Sequence, residues 1–125
     1  MDLQMADSII TTAMQATVGV SGAPLTAVVE RGAVQRFAEA IGDANPAYPD
    51  LAPPTFLRSI GRAIPALPDA EGVPRVLDGG SEWTYNAPVA AGDTITVRTQ
   101  LESLAERAGR MGSMLIATYL TEYTN

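Results

Sequence analysis

The fold of this chain depends on one stretch of its sequence, residues 37–48, FAEAIGDANPAY. That stretch completes an amphipathic pattern over residues 31–41 whose apolar positions share helical spacing: Val34, Phe37, Ala38 and Ile41. Gly42 predicts the end of the helix. Asp43 and Asn45 follow on a loop that prolines stiffen. The sequence therefore predicts a helix that delivers an acidic and an amide side chain to an ordered loop.

The segments on either side of this stretch predict a helix-rich first half. Residues 2–20 have loosely helical spacing and predict a short leading helix, whereas Leu25–Val29 is rich in β-forming residues and predicts a first strand. Residues 43–54 contain four prolines and predict an ordered loop. A helical pattern predicts a second helix over residues 55–64, and residues 65–75 predict a surface loop.

The second half has the two-residue alternation of β-strands. The alternation predicts three successive strands over residues 82–87, 95–101 and 114–119. Turns at Gly92-Asp93 and at residues 108–112 predict hairpins between them, and therefore an antiparallel meander. We accordingly expect a single α+β domain over residues 1–125.

The composition excludes several classes of site. The chain has no cysteine and no histidine, which sets aside disulfides, thiol nucleophiles, serine–histidine triads and most zinc or iron sites. We expect no metal and no other cofactor. The net charge of −6 disfavours nucleic acid as a partner. Because neither a signal peptide nor a membrane-spanning apolar run is visible, we expect a cytoplasmic protein that does not enter membranes.

The residue types alone are compatible with two interpretations of the loop that carries Asp43 and Asn45. In the first, Asp43 and Asn45 belong to a catalytic or binding site, because a proline-stiffened loop holds polar groups in a fixed orientation. In the second, both side chains only hydrogen-bond the backbone of their own turn, as these residue types commonly do.

Three motifs, taken in order, resemble those of the MaoC-like (R)-specific hydratase/dehydratase family. Gly42-Asp43-x-Asn45-Pro46 resembles the hydratase signature of that family. Residues 52–57, APPTFL, resemble the entry of its second helix, and residues 88–97, PVAAGDTITV, resemble its proline-to-Gly-Asp strand turn. The resemblance covers roughly residues 28–124. Within the family, the chain is similar to the dehydratase domain of fungal fatty acid synthase and to subunits of heteromeric hydroxyacyl dehydratases.

The resemblance implies a hot-dog fold, which is an antiparallel sheet wrapped around a central helix, here residues 33–41. It implies homodimers, or heterodimers with another hot-dog subunit, with the active site at the subunit boundary. The implied substrate is an acyl thioester of coenzyme A or of an acyl carrier protein. In the family an aspartate and a histidine activate the water that is added to, or removed from, an enoyl thioester. Backbone N–H groups near a helix N-terminus hold the thioester oxygen.

The family's catalytic pair is incomplete in this sequence. By resemblance, Asp43 corresponds to the catalytic acid and Asn45 to its supporting amide, whereas Tyr48 occupies the position of the catalytic histidine. A phenol, with a reference pKa of ~10, is a poor base at neutral pH, although it can donate a proton or orient water.

Two further departures concern the substrate entrance and the sheet edge. Only Pro49-Asp50-Leu51 separate Tyr48 from the Ala-Pro-Pro motif, where the family has a longer loop, and we expect a wider entrance. The family's last strand does not follow within residues 1–125. We expect either that the sequence ends early or that a partner covers the exposed edge.

Further residues are candidates for contact with the substrate. The resemblance places three of them at the entry of the second helix: Pro54, Thr55 and Phe56. Trp83 and Tyr85 can line an acyl tunnel, although alternating aromatic side chains on a strand more often belong to the core. Arg58 and Arg62 can contact a phosphate of the carrier, or can be surface residues in salt bridges.

Three functions are compatible with this sequence. The first is a subunit of a heteromeric enoyl-thioester hydratase, or 3-hydroxyacyl-thioester dehydratase, whose histidine-bearing partner completes the catalytic pair. The second is a stand-alone dehydratase, cyclase or isomerase of polyketide-type metabolism that uses Asp43 with Tyr48. The third is a non-catalytic module that binds an acyl thioester.

Overall fold

The fold combines a three-stranded antiparallel sheet with short helices, in a computed structural model that describes residues 8–110 and 112–125. In chain order its elements are α1 (Thr12–Thr17), β1 (Leu25–Val28), α2 (Arg31–Ala40), the 3₁₀-helices Phe56–Ile60 and Ala70–Gly72, β2 (Thr94–Gly109) and β3 (Gly112–Thr124). The strand order is β1-β2-β3. This arrangement agrees with the predicted α+β class. That the sheet wraps around α2, and that residues 1–125 are a single domain, stay predictions.

The leading helix is shorter in the structure than in the prediction. Thr11 caps α1, since its hydroxyl accepts a hydrogen bond of 3.1 Å from the N–H of Met14, whose side chain is buried. Threonine has low helix propensity, and α1 both begins and ends with one. The chain then turns at Gly19, where φ is 86°. Residues 2–7 of the predicted helix lie outside the described residues.

β1 and α2 form where the sequence predicts them, within one residue at each end. Val34 and Ala38 of α2 are buried and Phe37 is half-buried, as the apolar spacing predicts. Ile41 differs, because it is the C-cap residue and is 52% exposed. The apolar face of α2 is therefore narrower than predicted.

The core lies between α2, the Phe56–Ile60 helix and one face of β2. Its buried side chains form a single cluster: Val29, Val34, Phe56, Leu57, Ile95 and Val97. Phe37 meets Phe56 edge-on, with ring centroids 5.5 Å apart. The predicted alternation in β2 is confirmed, since its odd positions are buried: Ile95, Val97, Thr99 and Leu101. Burial of this apolar surface is the main force that holds α2 over the sheet.

The helix predicted over residues 55–64 is wrong, because only Phe56–Ile60 is helical and its type is 3₁₀. Thr55 precedes it with φ at 69°, and Gly61 ends it with φ at 91°. Neither angle is compatible with a right-handed helix, so the apolar pattern cannot continue through these positions. Gly22 packs against the chain just beyond, where an added Cβ would lie 2.2 Å from the carbonyl oxygen of Ala63. Only glycine permits that close approach.

The strand predicted over residues 82–87 is also wrong. β1 takes the place beside β2, with Leu25 opposite Val97. The predicted hairpin turn at Gly92-Asp93 exists as a turn into β2, in which the N–H of Asp93 donates to the carbonyl of Ala90 at 3.1 Å, but no strand precedes it.

Side chains rather than backbone pairing hold the segment over residues 81–87. The Nε1 of Trp83 donates to the hydroxyl of Ser81 at 3.0 Å, and the Trp83 ring stacks on those of Tyr85 and Tyr123. Alternating polar and apolar residues suit any extended segment. The pattern alone could not distinguish this one from a paired strand.

The hairpin predicted at residues 108–112 is confirmed, because β2 and β3 pair until Gly109 lies opposite Gly112. The register shifts between Leu101 and Ser103, where Glu102 is the extra residue of a β-bulge. β3 is longer than its predicted range at both ends. Among the described residues, none of the helices has the length and apolar character that crossing a membrane requires.

Candidate functional site

A Schellman motif at the end of α2 positions Asp43. The N–H of Gly42 donates to the carbonyl of Glu39 at 3.1 Å, and the N–H of Asp43 donates to the carbonyl of Ala38 at 2.9 Å. Gly42 has φ at 70°, a left-handed conformation that glycine adopts without steric cost. Asp43 is therefore anchored to the last turn of the helix.

The side chains of Asp43 and Asn45 form consecutive Asx turns. Oδ1 of Asp43 accepts from the N–H of Asn45 at 3.0 Å, and Oδ1 of Asn45 accepts from the N–H of Ala47 at 3.0 Å. These are the local bonds that the second interpretation of the loop predicts. Both residues are nevertheless exposed, and a carboxylate has a second oxygen. The turns fix the orientation of Asp43 and leave it an oxygen for other contacts.

A cavity of about 200 Å³, which we call the loop cavity, lies between α2 and this loop. Nine residues line it: Gln35, Ala38, Glu39, Asp43, Ala44, Asn45, Pro46, Tyr48 and Pro49. Partial burial raises the pKa of the Tyr48 phenol above its ordinary value, and the negative charge of Asp43 raises it further. Tyr48 thus keeps its proton at neutral pH, which suits a hydrogen-bond donor or an acid and not a base.

A larger groove of about 540 Å³ also has Asn45 and Tyr48 in its lining. Its lining is mostly apolar: Asn45, Ala47, Tyr48, Leu51, Ala52, Pro53, Pro54, Leu57, Tyr85, Asn86, Ala87, Pro88 and Val89. A concave, largely apolar surface with a few polar groups is typical of small-molecule sites. Asn45 and Tyr48 line both the groove and the loop cavity. Asp43 lines only the loop cavity, so Asn45 and Tyr48 are the two predicted catalytic residues that the cavity and the groove share.

The predicted substrate contacts divide into two groups. Pro54 and Tyr85 line the groove. Thr55 adjoins it through Tyr85, whose hydroxyl accepts a hydrogen bond of 2.7 Å from the N–H of Thr55. Phe56 is buried in the core, and Trp83 lies behind Tyr85 with ring centroids 5.9 Å apart. The structure therefore brings Pro54 and Tyr85 together with Asn45 and Tyr48, and places Phe56 and Trp83 in packing positions.

Sequence reasoning missed nine of the groove residues: Ala47, Leu51, Ala52, Pro53, Leu57, Asn86, Ala87, Pro88 and Val89. Leu57 is the last residue of the APPTFL motif and could have been included on that basis. Asn86 gave no signal, because the alternation predicted that residues 82–87 would be a paired strand. Val89 lies in the PVAAGDTITV motif and could have been included on that basis.

The far end of the loop is tied to neighbouring elements. Arg31, at the start of α2, forms an ion pair with Asp50. The N–H of Ala52 donates to the carbonyl of Val89 at 2.8 Å, and the N–H of Ala91 donates to the carbonyl of Asp50 at 3.0 Å. Since the ion pair is exposed, the backbone bonds contribute more to holding this end in place.

The sequence of residues 16–125 matches the family described as FAS1-like, dehydratase domain region. The chain belongs to this family. The resemblance that the three sequence motifs indicated is therefore confirmed, and the protein is of the hydratase/dehydratase hot-dog type.

Curated relatives of this family member are named UPF0336 proteins. One from Streptomyces coelicolor is 38% identical over an alignment of 98 residues, and the match covers 65% of this chain and 65% of that protein. One from Thermobifida fusca is 34% identical over 65% of this chain and 64% of its own length. One from Parafrankia sp. is 32% identical over 73% of this chain and 70% of its own length. The match thus spans about two thirds of these relatives.

Replacing Tyr85 by phenylalanine is expected to lower the free energy of unfolding by about 1 kcal/mol, because the N–H of Thr55 loses its acceptor while the ring keeps its stacking on Trp83. Adding Thr55→Gly should recover part of that loss, since glycine accepts the positive φ at this position. Urea unfolding measures both effects. Tyr119→Phe removes a hydroxyl that has no hydrogen bond within the described residues, and it should be neutral; equal losses for both phenylalanine variants would contradict the assigned bond.

Proposed function

We propose that the chain is one subunit of an enoyl-thioester hydratase, or in the reverse direction a 3-hydroxyacyl-thioester dehydratase, and that a histidine-bearing hot-dog partner completes its active site. One observation carries the proposal. Asp43 is held in a fixed orientation by the helix end and the Asx turn, close to a groove, whereas the position of the family's base is occupied by a phenol that keeps its proton.

The chemistry divides between the two chains. A water held between Asp43 and the partner's histidine loses a proton to the imidazole as its oxygen bonds to the β-carbon of the enoyl thioester. The imidazolium then returns this proton to the α-carbon of the enolate, which regenerates the neutral imidazole, and dehydration is the reverse. Asn45 supports the loop that carries Asp43, and Tyr48 donates a hydrogen bond to the water or to the substrate. The acyl chain would lie in the groove beside Pro54 and Tyr85.

The carrier of the acyl group would be coenzyme A or an acyl carrier protein, and the reaction needs no metal. A heterodimer follows from the missing base, because a homodimer of this chain would lack it at both sites. The cytoplasm is the compartment in which such thioesters are made and used.

Hydration of crotonyl thioester tests this function. The chain alone should be inactive, and activity should appear on adding a hot-dog chain, encoded beside it, that carries Gly-Asp-x-Asn-Pro and then histidine. In the complex, Asp43→Asn should lower kcat by about 10²- to 10⁴-fold, the size of an acid–base contribution. Glu71→Gln, an exposed carboxylate in the Ala70–Gly72 helix, should leave kcat unchanged. Robust turnover by the pure chain would contradict the heteromeric proposal.

A stand-alone enzyme that uses Asp43 with Tyr48 is a second candidate, because both side chains line the loop cavity. The dependence of the reaction rate on pH distinguishes this stand-alone enzyme from the heteromeric enzyme. A raised pKa keeps the Tyr48 phenol protonated through neutral pH, so a rate that needs it as an acid is full at low pH and falls only above about pH 10. A rate that depends on a partner's histidine changes instead near pH 6.5, about the reference pKa of imidazole.

A further inference from the structure

Two segments of the chain face each other across the groove and are tied together at intervals. Leu51 pairs with Ala90 in an isolated antiparallel bridge, and farther along the N–H of Thr55 donates to the hydroxyl of Tyr85 at 2.7 Å. Between these ties the lining is mostly apolar: Ala52, Pro53, Pro54, Ala87, Pro88 and Val89. Tyr85 and Asn86, which we call the polar pair, therefore lie at one end of an apolar stretch.

The hydroxyl of Tyr85 is an unused donor that is held in place. Its oxygen accepts from the N–H of Thr55, and its own proton stays available to another acceptor. Among the described residues it donates no hydrogen bond. Its ring stacks on Trp83 with centroids 5.9 Å apart and planes at 11°, and Trp83 stacks in turn on Tyr123 at 5.7 Å. The position of this donor is thus set before a ligand binds.

Asn86 adds a second uncharged polar group beside this phenol. Its exposed amide can donate and accept, and it has no hydrogen bond to another described side chain or backbone group. Every described residue that lines the groove is uncharged. Arg58 and Arg62 do not line it, and Arg58 lies 3.5 Å from Asp78 instead. Because an ionic group that leaves water needs a countercharge, this groove suits a neutral oxygen better than a carboxylate or a phosphate.

A plain hydrocarbon chain matches the polar pair poorly. A chain that covers these two side chains removes water from their polar atoms and offers them no partner, and each group left unpaired lowers the affinity by about 10-fold. A hydroxyl or keto oxygen on the chain replaces the water. Sites that hydrogen-bond an oxygen of the substrate discriminate strongly against an analogue without it.

We propose that Tyr85 and Asn86 favour acyl thioesters whose chain carries a neutral oxygen, as a hydroxyl or a keto group, beyond the reacting carbons. The inference rests on the proposed function, because the loop that carries Asp43 and Tyr48 sets where the α- and β-carbons lie. The hydroxyl of Tyr85 donates to the distant oxygen, and the amide of Asn86 forms a second hydrogen bond with the same group. The apolar stretch contacts the carbons in between.

Octanoyl-N-acetylcysteamine is the parent probe, and its derivatives carry one hydroxyl or one keto group on successive carbons beyond the β-carbon. Calorimetric titration of the full chain should show at least one derivative binding about 10-fold more tightly than the parent. Tyr85→Phe should abolish this preference, and Asn86→Leu should reduce it. Tyr119→Phe removes a phenol hydroxyl of β3 outside the groove and should change neither affinity. The ratio of the two affinities is the readout, because partial unfolding of a variant weakens both probes equally.

The proposal is overturned if no derivative binds more tightly than the parent, or if a folded Tyr85→Phe chain keeps the preference. If Tyr85→Phe does not fold, the double variant with Thr55→Gly replaces it and is judged in the same way. Tighter binding of the hydroxyl derivative indicates a hydroxylated chain, and tighter binding of the keto derivative indicates a keto chain. Both of these results support the polar pair.

Failure of this inference can be distinguished from failure of the proposed function. The probes are saturated and cannot be hydrated, so their relative affinities do not depend on hydratase activity. Conversely, crotonyl thioester has no oxygen beyond the reacting carbons, and its hydration by the partner complex would persist if only the polar pair were wrong.

Discussion

Replacing Tyr48 by histidine is expected to give the pure chain hydratase activity, about 10²- to 10⁴-fold above that of the unmodified chain. The substitution puts an imidazole, with a reference pKa of ~6.5, where a protonated phenol now lines both the loop cavity and the groove. Asp43 is already anchored and needs no rearrangement. Initial rates of crotonyl-thioester hydration measure the gain.

Two control variants show whether the gained activity comes from the imidazole and depends on Asp43. Tyr48→Phe keeps the ring and supplies no base, so it should stay inactive. Tyr48→His combined with Asp43→Asn should lose most of the gain, because the imidazole then acts without the carboxylate. A folded Tyr48→His chain that stays inactive, alongside a partner complex that is active, would show that the base does not act from position 48.

Replacing Phe56 by alanine is expected to lower the free energy of unfolding by about 3–5 kcal/mol. The side chain is 4% exposed in the core cluster and meets the ring of Phe37 at 5.5 Å. A loss of that size is a large part of the stability of an ordinary domain, which is about 5–15 kcal/mol. Denaturant unfolding gives the value directly.

The same variant tests whether the Phe56 side chain packs in the core or contacts the substrate, because the sequence analysis predicted that it contacts the substrate. Leu77→Ala, at a position 91% exposed, is the matched control and should change stability by less than about 0.5 kcal/mol. If the variant binds the thioester more weakly but keeps its free energy of unfolding, Phe56 contacts the substrate rather than serving the core.

The features predictable from the sequence are those that neighbouring residues determine. α2 and its glycine stop, β1 and the turn of the β2–β3 hairpin depend on local spacing and turn residues, and they formed within a few residues of their predicted positions, although β2 extends eight residues beyond its predicted end. The segments over residues 55–64 and 82–87 depend on distant contacts. The positive φ of Thr55 accompanies a bond to Tyr85, and β1 occupies the position beside β2 that the second segment was expected to fill.

The candidate site shows the same division. Asp43, Asn45 and Tyr48 could be grouped in advance because six residues of one loop contain all three. The groove is lined by segments around Pro54 and Val89 that are far apart in sequence. The spacing of residues within one segment does not indicate which distant segment it contacts. The two interpretations of Asp43 also proved compatible, since the turn that holds the carboxylate leaves one oxygen unused.

The anchoring of Asp43 to Ala38 has an evolutionary consequence. An insertion or deletion within residues 46–51 changes the lining of the loop cavity and of the groove, but it leaves the N–H of Asp43 bonded to the helix. Under the proposed function, proteins that share this helix end could differ in substrate range through the length of one loop while the carboxylate stays in place. Grafting a longer loop onto this chain should then change which thioesters enter before it changes how they react.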